Sequence, residues 1–169
     1  CCLVSDGGGA LVVTSAARAK DCRKPPVWVL GTGEATCHSI ISQMPRFHVW
    51  DAAVMAGGRA WAMSGAKPSD VDLAMLYDAF TINTILFLED LGFCAKGEGG
   101  RFVADGNLIS GVGKLPFNTD GGGLCSNHPA NRGGITKIIE AVRQLRGEAH
   151  EKLQVPNCDL AIAHGTGGS

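Results

Sequence analysis

The chain has 169 residues, with 45% hydrophobic residues, 18% charged residues and a formal net charge of −1. That length suits one domain with a real core. The near-balanced charge, without a basic stripe, argues against nucleic acid as a partner, and the apolar runs are too short to give a membrane-spanning helix.

In chain order, residues 10–14 read as a strand after the Asp6-Gly7-Gly8-Gly9 turn, followed by a short helix over 15–22. Residues 27–30, after Pro25-Pro26, read as a buried strand, and 31–47 as a loop carrying Glu34, Cys37 and His38. Asp51 can N-cap a helix over 51–64, with Val54, Met55, Trp61 and Ala62 among its apolar positions and Gly65 and Pro68 ending it. A second buried strand is expected over 71–76. Ile82, Ile85, Leu86 and the run 88–91 then form the apolar side of a helix that Gly92 closes. Residues 94–115 are glycine-rich and lack periodicity.

The stretch Asn118-Thr119-Asp120-Gly121-Gly122-Gly123-Leu124-Cys125-Ser126-Asn127-His128-Pro129 follows. Glycines let a backbone approach a ligand closely, and a proline suits the first turn of a helix. A histidine on such a turn sits at the positive end of a helix dipole. The reading is a built site, against the plainer one of a glycine-rich turn with an incidental histidine. The helix over 132–146 places Ile135, Ile138, Ile139, Val142 and Leu145 at helical spacing, and Gly147 stops it. Residues 160–163 form the last strand, feeding Gly165-Thr166-Gly167-Gly168. Strands alternating with helices give a layered α/β domain, with ligands expected at loops beyond the carboxyl ends of strands. The Tyr77, His128 and His164 loops are the three candidates, and their convergence is an expectation.

The seven cysteines are irregularly spaced, with no CxxC pair. This argues against zinc or another metal site and for buried, reduced thiols of a cytoplasmic protein. The chain starts without Met on a strand-like run and ends inside a glycine loop, so both ends read as cut.

Three motifs in order carry a family resemblance: Tyr77-Asp78-Ala79-Phe80, Asn127-His128-Pro129 and His164-Gly165-Thr166-Gly167-Gly168. They are similar to the Asn-Glu-Ala-Phe or His-Asp-Cys-Phe block, the Gly-His-Pro motif and the terminal Cys-x-Gly loop of thiolases. The chain resembles the carboxyl-terminal half of the thiolase superfamily, in the lipid-transfer-protein or sterol-carrier-protein-x branch often labelled acetyl-CoA acetyltransferase. The resemblance implies a layered α/β fold, a mixed sheet with helices on both faces. It implies that the amino-terminal half and the final strand lie outside this chain, and that residues 1–22 end that first half. The nucleophilic cysteine would lie in the absent half, so 1–169 alone is expected to be inactive.

By the same resemblance, His128 donates a hydrogen bond to a thioester oxygen or activates the nucleophile, and Gly167 offers a backbone N–H to a second oxyanion hole. Tyr77 stands where the family has Asn or His, and a phenol can donate a hydrogen bond or act as acid or base. Asp78 orients a neighbouring donor or caps the Phe80 helix. Both family positions for a second cysteine are empty, being Ala79 and Gly165 here. His164 could substitute as the base, or be a strand-end histidine facing solvent, and Cys125 reads as a small buried residue. The implied activity is an acyl-CoA C-acyltransferase of lipid metabolism, with coenzyme A or acyl-CoA as substrate, no covalently bound cofactor, and a homodimer or tetramer. The Tyr-Asp-x-Phe block also resembles thiolase-fold aldolases that split β-hydroxyacyl-CoA with an OB-fold partner protein. A non-catalytic acyl-CoA or lipid-binding module is the third reading.

Overall fold

Leu73–Leu76 is a four-residue apolar run in which every side chain is buried. A strand covered on both faces reads as a continuous apolar segment rather than an alternating one. In the computed structural model, which describes residues 1–129 and 133–167, this run is β1. It pairs in parallel with β2, Ala161–His164, in the register Leu73↔Ala161 through Leu76↔His164. The start of the pair is sealed by Asp72, whose carboxylate accepts the backbone N–H groups of Asp159 and Leu160 at 2.9 Å each. Residues 116–118 lie along the other edge of β1 through a parallel bridge from Ala74 to Phe117. The sheet among the described residues is therefore parallel, not mixed, while the α/β layering is as expected.

The elements run α1 (Ala16–Ala19), α2 (Asp51–Ser64), β1, α3 (Thr81–Asp90), α4 (Gly99–Phe102), α5 (Gly122–Cys125), α6 (Gly133–Leu145) and β2. Ala74 and Leu76 pack with Ala53, Phe87, Leu88 and Leu91 on the α2/α3 side. Leu73 and Met75 pack with Ala141, Val155 and Cys158 on the α6 side. Each fully buried large side chain contributes roughly 1.5–3 kcal/mol, so β1 is the anchor of both layers.

Helix α2 has the expected limits: Gly65 ends it at φ 71°. Asp51 is its first residue rather than its cap and pairs with Arg46 at 2.5 Å. Its buried positions are Ala52, Ala53 and Gly57, whereas Val54 and Met55 are exposed. In α3 the buried positions are Asn83, Phe87, Leu88 and Asp90, and Ile82 is exposed. The region 94–115 holds only α4 and short turns.

Two expected strands are absent. Residues 10–14 and 27–30 have no strand pairing among the described residues, and Val29 is 73% exposed. A strand needs a neighbour to take its backbone hydrogen bonds, and no described segment supplies one. The thiols also differ from expectation: all seven are free, but only Cys158 is buried. Burial, with Asp72 and Asp159 nearby, pushes its pKa up to about 11. No helix among the described residues is long and apolar enough to cross a membrane.

Candidate active site

The carboxyl end of β1 delivers Tyr77 and Asp78, both buried. Tyr77 Oη lies 2.6 Å from His128 Nδ1, and the two rings are 5.7 Å apart at a tilt of 48°. Burial raises the Tyr77 pKa above its ordinary value, and the electrostatic influence of nearby Cys2 and Asp78 adds to this. A phenol can donate or accept, and the direction of this bond follows the imidazole tautomer. In the tautomer with hydrogen on Nε2, the phenol donates to Nδ1 and the ring offers an N–H donor on its far side.

The turn bearing His128 is fixed from several directions. The His128 backbone N–H donates to Ser5 Oγ at 3.0 Å, and Gly7 lies against Pro129. Asn127 Nδ2 donates to Asp120 Oδ2 at 2.8 Å. Gly133 of α6 lies so close to the Tyr77 ring that a β-carbon there would overlap it. Gly165, in the loop after β2, packs beside Gly134, with 3.6 Å between the Gly134 Cα and the place a β-carbon would take. The three loops therefore meet around the amino-terminal end of α6 as described. The expected helix start at Arg132, and Gly168, lie outside the described residues.

Asp78 does not cap the Phe80 helix, where no side-chain cap bond is made. Its carboxylate accepts the N–H groups of Gly123 at 2.7 Å and Leu124 at 3.4 Å instead. Gly122, at φ 70°, is glycine for two reasons: its backbone is left-handed, and a β-carbon would strike that carboxylate. The triple glycine is thus partly a cradle for Asp78. Cys125, read as buried, is exposed, because α5 is a single turn on the outside of this loop.

His164 is placed apart from the pair. It shares the β1–β2 register with Leu76 and packs on Phe87, ring centroids 4.4 Å apart, on the α3 side of the sheet. It is half-buried rather than solvent-facing. Its Nδ1 and the Thr166 hydroxyl are buried without a hydrogen-bond partner among the described residues. Burial lowers its pKa to about 4. Gly167 is exposed, with open space where a β-carbon would project.

The His164 shift has a testable consequence. The unfolded imidazole binds a proton near pH 6.5 and the folded one only near pH 4. Stability from this group is complete above the unfolded value and is lost as pH falls through the folded one, up to roughly 3 kcal/mol. Denaturant melts of a His164→Leu variant between pH 7 and 4 should show a flatter loss of stability than the parent; an unchanged slope would contradict the assignment.

Sequence reasoning missed Lys137. Its side chain is 0% exposed, with Nζ 3.2 Å from Asp120 Oδ1 and 3.8 Å from Asp78 Oδ1. Beyond it, Glu140 Oε1 accepts from the Thr119 hydroxyl at 2.8 Å and from Gln144 Nε2 at 2.9 Å. Lys137, Glu140 and Gln144 recur at helical spacing, which is the signal that was there to find. The same helix leaves Ile138 43% exposed, and Gly9 lies against Ile139.

Comparisons place this geometry among known proteins. A family model described as "Thiolase C-terminal domain-like" matches residues 33–169. A 17-hydroxy-3-oxo-4-pregnene-20-carboxyl-CoA lyase of Mycobacterium tuberculosis is 43% identical over 151 residues, 87% of this chain and 38% of the lyase. An acetyl-CoA acetyltransferase of Methanothermobacter thermautotrophicus is 37% identical over 169 residues, 100% of this chain and 44% of that protein. The solved Ltp2-ChsH2(DUF35) aldolase superposes with a TM-score of 0.76 at 36% identity, covering 90% of this chain and 40% of that one. The chain thus spans well under half the length of these relatives.

Proposed function

The chain belongs to the thiolase family, as its carboxyl-terminal domain, and from that premise we propose that it supplies the Tyr77–His128 half of an active site for retro-aldol cleavage of a β-hydroxyacyl-CoA. The 2.6 Å contact between the phenol and the imidazole carries this reading. Tyr77 takes the proton of the substrate's β-hydroxyl as its own proton passes to His128 Nδ1. The Cα–Cβ bond breaks, the β-carbon becomes a carbonyl, and the electron pair moves onto the thioester as an enolate. His128 gains positive charge at that moment, so its Nε2–H becomes a stronger donor to the thioester oxygen. The enolate then takes a proton at Cα from Tyr77, which regains one from His128 Nδ1, so both side chains return to their starting state.

Several features favour this over acyl transfer. Ala79 and Gly165 occupy both positions where the family would carry a second cysteine. Retro-aldol chemistry needs no acyl-enzyme intermediate. Relatives named as a CoA lyase and as an aldolase support it, and the latter's name pairs two components, in keeping with an OB-fold partner here. Gly167 is assigned a backbone N–H toward the substrate, while His164, packed on Phe87, is assigned no proton transfer. The second reading, an acyl-CoA C-acyltransferase of lipid metabolism acting as a homodimer or tetramer in the cytoplasm, draws on Asn127-His128-Pro129 and on the acetyltransferase relative.

Substrate choice separates them. The intact protein with its partner should release a ketone or aldehyde from a β-hydroxyacyl-CoA without added CoA. Turnover only of a β-ketoacyl-CoA, with free CoA consumed, would assign the acyltransferase instead.

A further inference from the structure

We infer that Lys137 is a positioning residue that holds Tyr77 and His128 at hydrogen-bond distance by clamping the two carboxylates behind them.

Each carboxylate belongs to one side of the pair. Asp78 follows Tyr77 directly in sequence and lies 3.8 Å from Lys137 Nζ. Asp120 lies 3.2 Å from the same nitrogen and accepts from Asn127, which precedes His128. The lysine therefore joins the loop after β1 to the turn before α6 through one buried charge. It sits four residues beyond Gly133, which abuts the Tyr77 ring, so the clamp and the ring's backstop share a helix. Among the described residues, the remaining bonds to Asp78 and Asp120 come from the backbone N–H groups of Gly122, Gly123 and Leu124. These orient each carboxylate but carry no full charge. Removing the ammonium leaves two acidic groups facing each other with the attraction between them gone. Such groups separate or take up a proton, and separation moves Tyr77 and His128 apart.

The functional meaning of the clamp rests on the retro-aldol reading, but its test does not. Tyr77 is the chain's single tyrosine. In the intact protein labelled with 13Cζ-tyrosine, its resonance can be assigned by its loss in Tyr77→Phe. The His128→Ala spectrum then defines the position of the phenol without its imidazole partner. Lys137→Met, nearly isosteric and uncharged, should fold and move the Tyr77 resonance toward that position. A folded Lys137→Met protein with the parent resonance would overturn the inference. If Lys137→Met does not fold, Asn127→Ala decides in its place. It severs only the half-buried link from Asp120 to the turn; the same shift supports the clamp and an unmoved signal refutes it. A shifted resonance in the variant, with a parent protein that itself cleaves no β-hydroxyacyl-CoA, would sink the retro-aldol reading and leave the clamp standing.

Discussion

Replacing Tyr77 with Phe should lower retro-aldol turnover by about 100- to 10,000-fold, the range for losing a positioned acid–base group. The ring remains, so its packing against Gly133 is kept and the fold should survive. Only the hydroxyl is lost, the group that lies 2.6 Å from His128 Nδ1 and is proposed to meet the substrate. The effect should fall on kcat more than on KM, because in the proposed step the phenol acts on the hydroxyl proton as the bond breaks. Steady-state assays of the intact protein with its partner check this; cleavage at the parent rate would remove Tyr77 from the mechanism.

The second large effect is expected at His128. A His128→Ala change removes both the proposed acceptor of the Tyr77 proton and the proposed donor to the thioester oxygen. Loss of one oxyanion donor alone typically costs about 100- to 1,000-fold in kcat. Because the two residues act as one unit, the double variant should be little slower than the worse single one. Measuring kcat for both singles and the double tests this. Losses that multiply would show that Tyr77 and His128 act independently, and the 2.6 Å contact would then have no part in the proton path.

The Asn118–Pro129 stretch was legible in the sequence because its residue types are restrictive. Glycine, histidine and proline in that order have few ordinary structural uses, and the Tyr77 motif ends a recognisable apolar strand. Pairing of Tyr77 with His128 was not legible, since it depends on a contact 51 residues apart in sequence. Lys137 was hidden for a different reason. On a helix with an isoleucine stripe, a polar stripe reads as the solvated face. Here the polar stripe lies inside, where Asp78, Asp120 and Thr119 satisfy it, and Ile138 is the exposed one. Residues 27–30 misled in the opposite sense. Val-Trp-Val-Leu has strand composition, but composition fixes neither a pairing partner nor burial. His164 was correctly placed at a strand end, and its facing follows from the β1–β2 register, which puts it on the Leu76 side toward Phe87.

Tyr77 and His128 converge from loops that Lys137 ties together, and the chemistry assigned to them needs a substrate seated between the phenol and the far nitrogen of the imidazole. A structure of the intact protein with a non-cleavable β-hydroxyacyl-CoA analogue tests that most directly. The account predicts the analogue's β-hydroxyl within about 3.2 Å of Tyr77 Oη and its thioester oxygen within the same reach of His128 Nε2. An analogue bound with both oxygens away from these atoms would contradict it.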